Sequence, residues 1–298
     1  MIFSRVAFLG FLLFISFRSN AQEIDLFAES ETEKQENITK ATFKSTRVIN
    51  GQSIENTGKG VLDFKILHRF DPINKGGYEL FGLDRAFMRI GFDYGITNRL
   101  EAGIGRSNYQ KQYDGFIKYK LIRQQTGKRN IPVSISYTGT TIYRTLHLTT
   151  DYTEYVSDRF SYAHQLLIAR KFNDYFSLQL TPTLIHYNIV STVSFPNDFL
   201  SLGVGFRQRL SKRINLTGEY FYRFDKLPSF HNALSLGFDI ETGGHVFQLN
   251  FTNSTGMTER TFINETSGTW AQKDVRFGFN IARVFTIVKP KELRTLRK

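Results

Sequence analysis

From Gly60 to Phe285, apolar and polar residues alternate with period two, segment after segment, and a chain patterned this way builds two-faced strands. The first run sets Leu62, Phe64, Ile66 and Phe70 against Asp63, Lys65 and Arg69. The second sets Met88, Ile90, Phe92 and Tyr94 against Arg85, Arg89, Gly91 and Asp93. Later runs repeat the scheme: Ile117 and Tyr119 against Phe116 and Lys118; Ile131, Val133, Ile135 and Tyr137 against Ser134, Ser136 and Thr138. The last opposes Val275, Phe277, Phe279 and Ile281 to Arg276, Gly278 and Asn280. About twelve such segments can be marked off.

Soluble sandwiches and membrane barrels both use two-faced strands, and three features favour the barrel. The links alternate in length: those near 96–98, 124–130, 173–175, 211–213 and 243–244 are short, while those near 71–84, 106–112, 141–158, 188–199, 225–232 and 253–273 are longer. An outer-membrane barrel alternates in this way, with its short turns periplasmic. The tight turns also agree in parity. Pairing Gly95 with Arg99, Phe172 with Phe176, Leu210 with Ile214 and Thr242 with His245 keeps apolar residues opposite apolar residues, whereas a one-residue slip would invert a strand. Finally, the polar face is charged and rich in glycine, and Tyr and Phe gather at strand ends like interfacial girdles. The expected fold is all-β, a transmembrane antiparallel up-and-down barrel of about twelve strands over residues 60–288.

The ends read differently. Residues 1–21 hold Arg5, an apolar stretch from Val6 to Phe17 and a small residue at Ala21, the pattern of a cleaved secretory signal peptide. Residues 22–59 begin as an acidic leader (Glu23, Asp25, Glu29, Glu31, Glu33, Glu36) and become more mixed from Phe43 onward. That composition allows two fates, a plug folded into the barrel from the periplasmic side or a periplasmic linker. Residues 289–298 form a basic tail. The chain has no cysteine, which excludes disulfides and thiolate chemistry, and no metal or cofactor is expected. Its formal charge of +12 is not gathered into Lys/Arg-rich runs, and export argues against nucleic acid as a partner.

On the expected parity, the lumen-lining candidates are Lys65, Arg69, Arg85, Arg89, Asp93, Glu101, Lys118, Lys120, Arg207, Arg209, Glu219, Arg223 and Arg276, with Lys171, Asp63, Asp239 and Glu241 on the same face. Positive charge is in surplus, which would favour anions in an open channel. Arg89, Lys118, Lys120 and Glu219 are placed near mid-height. Asp93 and Glu101 should oppose one another across the first short turn, neutralised by Arg89 and Arg99. The glycines at 103, 105, 203 and 205 read as a thinned wall. His68, His164, His186 and His245 fall on the outward parity without a Ser or Asn at catalytic spacing.

Several stretches resemble an outer-membrane β-barrel family of Bacteroidetes classed among domains of unknown function. They are FKSTRVINGQSIE (43–55), HRF (68–70), LFGLD (80–84), IGFDYGITNRLEAGIGRS (90–107), QLLIARKF (165–172), ETGGHVFQLNFTNS (241–254) and RFGFNIARVF (276–285). The resemblance implies an outer-membrane location and no particular activity. The functional expectation is a narrow passive channel for small, anionic solutes, with membrane lipid as the surrounding partner. A non-conducting receptor or assembly partner, acting through the loops at 141–158 and 253–273, is the alternative. A lipid-modifying enzyme ranks third, and no catalytic residue is assigned.

Overall fold

The computed structural model describes residues 37–146, 154–190, 195–242 and 245–288. The expected signal peptide, most of the acidic leader, the basic tail and the Gly243-Gly244 turn lie outside the described residues. Twelve strands close into one barrel. They are β1 (Val61–Pro72), β2 (Ala86–Gly95), β3 (Leu100–Ser107), β4 (Gln112–Ile122), β5 (Ser134–Arg144), β6 (Phe160–Lys171), β7 (Phe176–Tyr187), β8 (Asp198–Arg209), β9 (Ile214–Arg223), β10 (Ala233–Thr242), β11 (His245–Thr252) and β12 (Arg276–Thr286). Each pairs antiparallel with its neighbours in sequence, and β12 returns to β1. Closure leaves no strand edge, so the ladder pairs its own N–H and C=O groups, the condition for crossing a hydrocarbon layer with strands.

Side chains alternate between lumen and exterior along each strand. On β1, Asp63, Lys65, Leu67, Arg69 and Asp71 are buried and the residues between them half-exposed. On β7 the inward row is Ser177, Gln179, Thr181, Thr183, Ile185 and Tyr187. The exterior is greasy and aromatic, with Phe92, Ile104, Ile117, Tyr137, Leu200, Tyr222 and Phe251 exposed.

Three short turns take the expected register: the Phe172 N–H donates to the Phe176 oxygen (3.1 Å), the Leu210 N–H to that of Ile214 (2.9 Å), and Thr242 pairs with His245. The first turn differs. Gly95 pairs with Glu101, not Arg99, and the Ile96 and Thr97 N–H groups both reach the Leu100 oxygen. The cause is the Thr97 hydroxyl, which accepts from the Arg99 and Leu100 N–H groups and pulls the turn one residue along. Parity survives and the opposed pairs change. Ile131 and Val133 also leave the expected strand, because Gln125 and Ile131 exchange both backbone hydrogen bonds in a small hairpin at the turn. Val275 is buried just before β12 and does not face outward.

The glycines expected to thin the wall instead make room for large inward side chains. A Cβ on Gly105 would stand 2.3 Å from the Arg89 guanidinium, and one on Gly203 would stand 2.5 Å from the Phe221 ring. Outward Gly115 meets nothing nearer than 3.9 Å. Gly105→Val should therefore destabilise the barrel by roughly 1–3 kcal/mol, the usual penalty for overpacking, while Gly115→Ala stays within about 0.5 kcal/mol. Urea unfolding midpoints in detergent, read by heat-modifiable gel mobility, separate the two.

Candidate functional site

The lumen is where the charged side chains meet, and residues 43–58 occupy it. This segment enters and leaves at the short-turn end: Lys44 pairs with Glu241 (3.0 Å), the Asn56 amide donates to the Arg99 oxygen (3.1 Å) and the Gly60 N–H to that of Gly95 (2.8 Å). Just outside, Asn37–Ile38 pairs with Gln125–Thr126. Inside the barrel the chain folds on itself, with the Val48 N–H donating to the Gly51 oxygen and the Ser53 N–H to that of Thr46, both at 2.9 Å.

The tip of this hairpin meets Glu219. Three consecutive backbone N–H groups donate to its carboxylate, from Ile49 (3.3 Å), Asn50 (2.7 Å) and Gly51 (3.0 Å). Gly51 is suited to this approach, since a Cβ there would stand 2.9 Å from Phe221. Other inward side chains take the remaining backbone groups. Asn280 donates to the Ile49 oxygen (2.9 Å) and Gln248 to that of Val48 (3.0 Å). The Gln179 amide accepts from the Ile54 N–H and donates to the Gln52 oxygen, both at 2.8 Å, as a neighbouring strand would. Lys118 donates to the Glu55 oxygen (2.7 Å), and Glu101 accepts from the Thr57 N–H (2.6 Å). Phe43, Val48 and Ile54 pack on inward Leu167 and Ala169 of β6.

A second insert comes from the long-loop end. The connection from β11 to β12 turns inward, and its single π-helical turn, Arg260–Asn264, drives Phe262 and Ile263 among Ala163, Ile185, Phe199, Phe221 and Ala233. Thr258 bonds Gln112 (2.6 Å) on the wall. The two inserts touch where Arg47 faces Glu259 at 4.0 Å, both buried.

The expected lumen residues therefore fall into groups. Lys65, Asp93, Glu101, Lys118, Arg69 and Glu219 surround the hairpin. Asp93 and Glu101 do not oppose one another: the shifted turn pairs Asp93 with Gly103, and each carboxylate has its own lysine, Lys65 for Asp93 and Lys118 for Glu101 (3.5 Å). Arg89 is buried and binds Asp114, not the acids of the first turn. Arg207 is buried against Asn215 and Ser177. Arg223 caps loop carbonyls at the long-loop end, including that of Asn264 (2.8 Å), and Arg276 pairs with Asp71 (3.1 Å). Lys120 and Arg209 are only half-buried, near the short-turn end. Arg85 lies outside the lumen: it precedes β2, its side chain is 71 % exposed, and it stands 3.9 Å from Asp71. Asp71 and Asp114 are inward acids that the sequence reading omitted, and they reduce the positive surplus. Strict parity on β1 and β4 would have found both.

Two outcomes test this geometry. Glu219→Ala leaves three buried N–H groups without an acceptor, a loss of roughly 2–4 kcal/mol. Hydrogen exchange at residues 49–51 should accelerate at least about tenfold while the strands stay protected. The second outcome concerns Glu259. Burial pushes its carboxyl up from the ordinary range; Arg47 pulls against this and Asp114 adds to it. A carboxyl whose docked value is raised binds its proton more tightly when docked, so docking strengthens as pH falls through that raised value and weakens above it. Protection factors at residues 258–264 should be higher at about pH 5 than at about pH 8, and Glu259→Gln should flatten the difference.

Comparison with known proteins gives two kinds of match. Among solved structures, a NanC porin superposes with a TM-score of 0.48 at 8 % identity, covering 75 % of this chain and 98 % of that one. A KdgM porin gives 0.44 at 11 %, covering 76 % and 98 %. The same porin in complex with disordered oligogalacturonate gives 0.45 at 11 %, covering 76 % and 99 %. No curated protein matches the chain in sequence. A family model matches residues 43–285, a span that begins with the hairpin inside the lumen and ends in the last strand. The chain belongs to the family described as "Membrane bound beta barrel domain (DUF5777)".

Proposed function

We propose that this protein is an outer-membrane channel that rests closed, its lumen stoppered by residues 43–58, and that it passes small solutes passively when that segment leaves. In this reading residues 1–21 direct export and are removed, the short turns and both termini lie in the periplasm, and the long loops face outward. The observation that carries it is the capture of the hairpin tip by Glu219: a lumen that served only as a structural core would fill itself with side chains. Here a separate stretch of backbone fills it, positioned by polar groups that water can also satisfy. The reading involves no catalysis.

With the hairpin withdrawn, Lys65, Arg69 and Lys118 would face water together with Asp93, Glu101 and Glu219; Asp63, Asp71, Asp114 and Asp239 offset Arg89, Arg207, Arg223 and Arg276, so the positive surplus is carried by half-buried Lys120, Lys171 and Arg209 against Glu241 at the short-turn end. A modest preference for anions follows.

Planar-bilayer recording tests the proposal. The chain from Gln22 onward should be nearly insulating, and a chain lacking residues 22–58 should conduct, with a reversal potential shifted toward anions. Truncation risks misfolding, so a second arm uses the absence of native cysteine. Asn50 and Ser235 side chains are in contact (3.1 Å). Glu219→Ala should raise channel activity, and adding Asn50→Cys with Ser235→Cys should suppress it when oxidised and restore it when reduced. A well-folded barrel that stays insulating in every arm overturns the channel and leaves the loops as the working surface.

A further inference from the structure

Above the Arg260–Asn264 turn, at the long-loop end, lies a cavity of about 390 Å³, within the size range of small-molecule sites. One side is apolar, formed by Phe195, Phe199, Leu227 and Phe230. The other is polar and carries Arg144, Arg260 and Asn264.

The acids nearby already have partners. Glu265 accepts from Arg260 Nε (2.8 Å), Gln110 Nε2 (2.7 Å) and the Tyr187 hydroxyl (3.3 Å). Glu154 accepts from Arg144 Nη2 (2.5 Å) and faces Arg159 at 3.2 Å. On the cavity wall itself two guanidinium groups, Arg144 and Arg260, stand with one carboxylate, Glu265. Asn264 is 1 % exposed; its amide N–H points at the Tyr187 hydroxyl, and its carboxamide oxygen has no partner among the described residues; Arg144 Nε is likewise buried without one. Buried polar groups left unpaired are costly and rare, and a pair of them on a cavity wall asks for a ligand.

We infer that this cavity binds a small amphipathic carboxylate. The anionic head lies on the Arg260 and Asn264 side, with a hydroxyl or N–H beside the carboxylate to meet the Asn264 oxygen. The apolar body lies against Phe195, Phe199 and Phe230. The Arg260–Asn264 turn bounds this cavity on one face and inserts Phe262 and Ile263 into the lumen on the other, so an occupant contacts the same turn that closes the barrel from this end. The inference rests on the preceding reading only for which side of the membrane the cavity faces.

Fluorine NMR of para-fluorophenyllactate, titrated onto the full chain in nanodiscs with empty nanodiscs as reference, tests it. Saturable binding is expected, with para-fluorophenylpropanol at least tenfold weaker. Arg260→Gln and Asn264→Leu should each weaken binding of the acid about tenfold or more. Leu227→Trp, which fills the cavity without touching a charge, should abolish it; heat-modifiable gel mobility confirms that each variant is folded. Absence of saturable binding, equal binding of the neutral alcohol, or indifference to Arg260→Gln overturns the site. Binding is read without current, so binding to an insulating barrel rejects only the channel, and conduction without binding rejects only the ligand site.

Discussion

A peptide segment carried into the middle of a barrel brings with it N–H and C=O groups that must be paired or hydrated. In this protein that constraint is met by side chains of the wall acting as a surrogate sheet. Glu219 alone accepts three consecutive N–H groups at the tip. Gln179 copies the donor and acceptor of a neighbouring strand, and Gln248, Asn280 and Lys118 receive carbonyls. These residues come from β4, β7, β9, β11 and β12. The hairpin thus ties together strands from around the barrel, of which only β11 and β12 pair with one another, and Glu219, Glu101 and Lys118 of the charged lining serve its backbone dipoles directly.

The architecture was largely legible in the sequence because period-two alternation acts on every strand and tolerates small errors. A turn displaced by the Thr97 hydroxyl changed which residues oppose one another without exchanging inside for outside. The occupied lumen was less legible. Its signal was present in inward positions that are apolar: Leu67, Phe116, Leu167, Ala169, Phe199 and Phe221 occupy the parity that a wet lumen fills with polar groups. Leu167 and Ala169 receive Phe43, Val48 and Ile54; Phe199 and Phe221 receive Phe262. What no local pattern encodes is the partnership of Glu219 with residues 49–51, separated by about 170 positions in the chain and made through backbone atoms that carry no residue identity.

The two inserts are held by different physics. The loop wedge from the long-loop end buries Phe262 and Ile263 in an apolar cluster, and withdrawing it would expose that area to water with nothing in return. The hairpin from the short-turn end is placed by polar contacts, each worth only about 0.5–1.5 kcal/mol net because water can replace it. Water entering a vacated lumen would hydrate Glu219, Lys118 and Gln179 together with the departing backbone.

The retention of the hairpin then falls chiefly to its few apolar anchors. Phe43, Val48, Ile49 and Ile54 are almost wholly buried, and full burial of such a side chain contributes roughly 1.5–3 kcal/mol. The polar cage decides where the segment sits; the anchors decide how firmly. Positional accuracy and strength are thereby separated, and a segment with that division of labour can be positioned reproducibly without being held irreversibly. Of the two closures the hairpin is the one whose removal leaves the fewest uncompensated groups behind, and both its ends lie at the same mouth of the barrel. Withdrawal through that mouth requires no barrel strand to unpair, so in the proposed channel the hairpin, and not the wall, is the part suited to move.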